Sequence, residues 1–175
     1  MTFSIRATIR ALAAPDHRLS CPTTLWRQGM AELARRGEGR HESGAFLLGR
    51  QHGTRRRVER FVYFDDLDQH CLDTGIVVFD GAGFGPLWAL CRENGLRVVA
   101  DVHTHGGHGP ARQSRLDRDN PMIAQAGHVG VIVPNLARCP IAPPDLGVYE
   151  YLGEHLWRDH SGARAGRFFY VGIWG

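Results

Sequence analysis

The sequence contains no lysine; all 21 of its basic side chains are arginine. The bland explanation is a GC-rich coding sequence, since Ala, Gly, Arg and Pro are also plentiful. The alternative is that the chain lacks side-chain amines for a reason tied to lysine chemistry. It also lacks any apolar run near the roughly 20 residues that a membrane-spanning helix needs. The opening M-T-F-S-I-R-A-T-I-R has no apolar signal-peptide core. The four cysteines, Cys21, Cys71, Cys91 and Cys139, form no C-x-x-C pair, which argues against a zinc ribbon or a thioredoxin-type motif. Together these absences set the expectation of a cytoplasmic protein with reduced thiols. A net charge of +3 is too small to imply nucleic acid.

What is present is a globular balance, 43% hydrophobic and 22% charged. At 175 residues, without repeat or linker, the expectation is one domain over residues 1–175. Alternation over residues 3–9 predicts a first strand. Trp26, Met30 and Leu33 give residues 24–36 one apolar helical face, with Gly37 and Gly39 at its end. Strands are predicted at residues 43–49 and 58–64, paired across a loop over 51–57 that contains Arg55, Arg56 and Arg57. Residues 65–84 read as a long irregular loop. A second helix starts at Pro86 and ends before Gly95. Further strands are expected at residues 97–103, 129–134, 147–152 and 168–174, with a proline-rich loop over 135–146. Mixed strands and helices indicate an α/β or α+β layered domain.

The chemistry concentrates in V-V-A-D-V-H-T-H. His103 and His105 leave one face of a strand end, where paired imidazoles suit a zinc ion. By itself an H-x-H is equally a surface pair. Ser114-Arg115-Leu116-Asp117 follows. It reads as a capping box, yet an aspartate in that first turn can also face the histidines as an anionic third ligand. Two neutral imidazoles and one carboxylate leave a metal an open position for water. Glu42, in H-E-S-G-A-F-L-L-G, is either an exposed charge at a strand start or a general base.

These residues jointly resemble the JAMM (JAB/MPN) metalloprotease family. Its pattern is a glutamate before an apolar, glycine-containing strand, matched by Glu42, Gly44, Leu48 and Gly49. H-[S/T]-H then matches His103-Thr104-His105, and a later Ser-x-x-Asp matches Ser114 and Asp117. One departure stands out: eight residues, not seven, separate His105 from Ser114, an insertion a glycine-rich loop absorbs as a bulge. His108, inside that loop, is expected to be an ordinary loop residue rather than a ligand.

The resemblance implies a cytidine-deaminase-like mixed sheet flanked by helices. It implies zinc (one catalytic Zn2+) on His103, His105 and Asp117, Glu42 as base and Ser114 as oxyanion donor. It further implies an isopeptidase or peptidase that cleaves after the C-terminus of a ubiquitin-like protein. The expected partners are that modifier and its conjugates, with E1-like and E2-like proteins of a bacterial conjugation or antiphage defence system, and neither nucleic acid nor membrane. Tyr63, Phe64, Asp65 and Asp66 are candidates to line the path of the modifier's tail. Two alternatives stay open: a peptidase trimming a sulfur-carrier protein's tail, and a non-catalytic MPN scaffold. A zinc deaminase is disfavoured because H-x-E…P-C-x-x-C is absent, and H-E-x-x-H is absent too.

Overall fold

A computed structural model describes residues 16–79, 81–107 and 109–175. The strand expected over residues 3–9, and His108, lie outside the described residues. An eight-stranded mixed sheet runs in the order β7-β6-β5-β4-β2-β3-β1-β8. Its members are β1 (Leu19–Pro22), β2 (Gly44–His52), β3 (Arg55–Tyr63), β4 (Arg97–Thr104), β5 (Val129–Val133), β6 (Gly147–Gly153), β7 (Leu156–Asp159) and β8 (Phe169–Gly172). Among the described residues five α-helices flank it: α1 (Thr23–Arg36), α2 (Phe64–Leu67), α3 (Phe84–Asn94), α4 (Arg115–Asp119) and α5 (Ala165–Phe168). The fold is α+β.

β2 shows why the sheet is buried on both sides. Ala45 and Leu47 join one apolar cluster, with Trp26, Met30 and Leu33 of α1. Phe46 and Leu48 join the other, with Leu87 and Cys91 of α3. All four β2 side chains are fully buried, so the run is continuously apolar rather than alternating. Trp26 packs edge-on against Phe169 and donates its indole N–H to the Ile141 carbonyl at 3.1 Å. On the opposite face Phe46 meets Phe64, Phe79 and Phe84. α3 stops at Gly95, whose φ of +61° is the left-handed turn that glycine adopts without cost.

Three expectations need correction. Residues 51–57 are almost entirely strand: β2 and β3 run to His52 and Arg55 around a tight turn. Arg55, Arg56 and Arg57 therefore belong to β3, where Arg57 donates to the Gly175 carbonyl at 2.8 Å. Two short strands, β1 and β7, were not predicted. β1 sits between β3 and β8 and runs parallel to both. Phe64 cannot line a surface path, because it is wholly buried in the aromatic cluster. Its neighbours Asp65 and Asp66 accept from Arg36 at 2.6 and 2.7 Å, and the Arg36 guanidinium lies over the Tyr63 ring. This cluster ties the end of α1 to the start of α2.

Candidate metal centre

β4 pairs antiparallel with β2 and parallel with β5. The connection from β4 to β5 leaves the sheet at His105, carries α4, and returns at Val129. Ligand sites in α/β sheets favour the carboxyl end of such a parallel strand. Gly44 pairs with His103. A Cβ on Gly44 would fall 2.3 Å from the Phe64 ring and 2.9 Å from the Val102 carbonyl, so only glycine lets β2 lie this close.

Two buried hydroxyls lock Glu42 to the histidine strand. Ser43 donates its backbone N–H to Thr104 Oγ1 at 2.9 Å and its hydroxyl to the Leu33 carbonyl at 2.8 Å. Thr104 returns its backbone N–H to the Ser43 carbonyl at 2.8 Å. The middle residue of H-T-H thus faces α1 while both imidazoles face the other way. Glu42 itself donates its backbone N–H to the Gly75 carbonyl at 3.0 Å, and its half-buried carboxylate has no hydrogen-bond partner among the described residues.

His103 Nε2 and His105 Nε2 lie 3.0 Å apart. Asp117 Oδ1 is 3.3 Å from the first and Oδ2 is 3.3 Å from the second. Ligand atoms around a tetrahedral zinc with bonds of about 2.0–2.1 Å would stand roughly 3.3 Å from one another. The donor set fits a metal ion. It is also the one His/Cys/Asp/Glu cluster of metal-binding geometry among the described residues.

The Asp117 carboxylate that meets the imidazoles also closes a helix cap. α4 opens with a full capping box: Ser114 donates its backbone N–H to Asp117 Oδ2 at 2.6 Å, and Asp117 donates its own to Ser114 Oγ at 3.2 Å. The cap fixes the carboxylate in the first turn, pointing back at β4. Ser114 Oγ accepts in the cap and keeps its proton free to donate. α4 is pinned from beneath, since Trp157 of β7 donates to the Arg118 carbonyl at 3.2 Å.

The electrostatics suit a cation. Burial favours a neutral His103, but the carboxylates of Asp101 and Asp117 outweigh it and hold the ring up at about 10. Burial likewise opposes a charged Asp117, yet both imidazoles and the Ser114 N–H hold its carboxyl well below the ordinary carboxylate range. A cavity opens beside the cluster. Glu42, His103 and Asp117 line it, with Asp101, Gln113 and an apolar wall that includes Leu116, Met122, Ile132 and Trp157.

The structure therefore brings His103, His105 and Asp117 together and places Glu42 on the same cavity as two of them. Ser114 is exposed at the N-terminus of α4. Sequence alone does not single out Asp101 and His128. The one available signal was an aspartate inside an otherwise apolar strand.

The chain is thus an α+β sheet domain that carries, at the end of a central strand, a donor set able to hold a metal ion. Residues 23–143 match the family of prokaryotic homologs of the JAB domain, and the chain belongs to that family. Two solution structures share the fold. A protein from Desulfitobacterium hafniense has a TM-score of 0.58 and 22% identity, over 82% of this chain and 90% of its own. A protein from Salinibacter ruber has a TM-score of 0.54 and 22% identity, over 82% and 89%.

Proposed function

We propose that the chain is a zinc-dependent peptidase or isopeptidase that cleaves after the C-terminus of a ubiquitin-like modifier. The observation that carries this reading is the convergence of two imidazoles and one carboxylate beside a cavity that Glu42 lines. His103, His105 and Asp117 would hold the zinc. Bound there, the ion supplies Lewis acidity, lowering the pKa of a water and polarising the scissile carbonyl.

Glu42 accepts a proton as water oxygen bonds to the carbonyl carbon. The Ser114 hydroxyl donates to the oxygen that gains negative charge. When the carbon–nitrogen bond breaks, Glu42 passes the proton to the departing amine. In a conjugate that amine is a lysine side chain; in a precursor it is the next residue's backbone nitrogen. The modifier and its activating and conjugating proteins, in a bacterial conjugation or defence system, are the proposed partners.

The test is Glu42→Gln. It is expected to cut cleavage of a ubiquitin-like precursor or lysine-linked conjugate by a factor of about 10²–10⁴, with one zinc per chain retained. Full activity in this variant would overturn the assignment.

A further inference from the structure

The geometry points to Asp101 as the positioning residue for His103, held in turn by His128; this rests on the metal reading above. His103 Nδ1 is buried and is the one buried side-chain polar atom without a hydrogen-bond partner among the described residues. The ring's other nitrogen points at His105 and Asp117. A neutral imidazole ligated through Nε2 carries its proton on Nδ1, so this buried atom becomes a donor that needs an acceptor.

Asp101 sits two residues earlier, on the same face of β4, with Oδ2 at 3.9 Å from His103 Nδ1. That separation is too long for a hydrogen bond. On this inference a hydrogen bond forms across the gap when Nδ1 carries the proton. The other carboxylate oxygen is already fixed, because Oδ1 receives His128 Nε2 at 2.5 Å. His128 immediately precedes β5 and is itself buried. The pair is therefore anchored from the neighbouring strand, with one oxygen left over on the His103 side.

An ionised carboxylate at 4% exposure in an apolar strand is hard to justify on stability grounds, since an aliphatic side chain would pack there without desolvating a charge. Fixing a ligand's tautomer and raising its basicity is what carboxylates behind metal-bound histidines do. His105 differs: it leaves no buried unpaired nitrogen, and no carboxylate behind it is required.

The test compares wild type, Asp101→Asn, Asp101→Ala and His128→Gln by zinc affinity in chelator competition. The melting temperature of each metal-free protein and the ¹⁵N imidazole spectrum of each zinc-loaded protein are recorded alongside. Asp101→Ala is expected to weaken zinc binding about 10–100-fold, with Asp101→Asn and His128→Gln in between. Wild type should show a slowly exchanging Nδ1–H on His103 that Asp101→Ala loses. A purely structural role would instead lower the metal-free melting temperature and leave the affinity of the folded fraction unchanged, overturning the inference. Asp101→Asn keeps the shape and carries the same test if Asp101→Ala fails to fold. Zinc binding of wild-type strength in both Asp101 variants would overturn this inference alone. Failure of wild type to bind zinc would overturn it together with the metal reading.

Discussion

Nε2 of His103 lies 3.3 Å from Oδ1 of Asp117, with the imidazole near the end of a central strand and the carboxylate on a short helix of the crossover. In the metal-free protein the pair behaves as an ion pair, and this gives its stability a pH signature. The folded state holds His103 up at about 10, from an ordinary 6.5, so it binds the proton more tightly than the unfolded chain does. That stabilisation is complete below about 6.5 and is lost as pH rises through about 10. Chelator-treated protein is expected to melt at progressively lower temperature across this window. Zinc-loaded protein should not follow it, because the ion replaces the proton. Parallel melting curves against pH check this, and a metal-free profile flat from 6.5 to 10 would contradict it.

Gly44 faces His103 across the β2–β4 ladder, and its missing side chain is space that Phe64 already fills. Gly44→Ala must displace either the ring or the Val102 carbonyl. Overpacking of this kind costs about 1–3 kcal/mol, read as a lower denaturant midpoint with an unchanged slope. Zinc affinity should fall as well, since the displaced strand carries the first imidazole.

The hydroxyl of Thr104 matters for a different reason. It is fully buried and accepts the Ser43 N–H. Thr104→Val keeps the shape but strands that donor, for a loss of about 1–3 kcal/mol. Thr104→Ser restores the acceptor and should recover most of the stability, as urea unfolding of the two variants would show.

Much of this site was legible because its chemistry is local. H-T-H is a strand-end signal, and S-R-L-D reads as a cap or as a ligand position; the folded chain closes the cap and brings the same carboxylate to both imidazoles. α1 and β2 were legible from their apolar faces. β1 was not, because L-S-C-P is too short to carry periodicity and is a strand only by pairing with β3 and β8. The three arginines of β3 resembled a solvated turn because their partners, among them Asp16 and the Gly175 carbonyl, are remote in sequence. Asp101 shows the same limit. A lone acid in an apolar strand signals something, but only the parallel neighbour β5 brings His128 to it.

Thiol reactivity offers a check on the two cores. Burial pushes the Cys21 and Cys71 thiols up to about 12, and raises Cys91 as well. Cys139 alone is exposed, and all four are free. Because the thiolate is the reactive form, a disulfide-exchange reagent at pH 8 should titrate one group quickly in native protein and four after denaturation. Rapid reaction of two or more native thiols would mean that one of the packed faces opens.

The missing lysines gain a meaning on the proposed function. An enzyme that works beside conjugating proteins meets activated modifier continually, and an exposed ε-amine is the group that accepts it. Arginine keeps the surface charge, but its guanidinium stays protonated and is no nucleophile. Arg40 and Arg92 are both exposed, so Arg40→Lys and Arg92→Lys should fold unchanged. They belong in the Glu42→Gln background, which on the proposed function could not strip a modifier from itself. Incubated with a ubiquitin-like modifier and the activating and conjugating proteins proposed as its partners, the lysine-bearing chain is expected to gain a higher-mass band that the lysine-free chain does not. If both chains stay equally unmodified while a control substrate is conjugated, protection from self-conjugation does not explain the composition, and coding bias does.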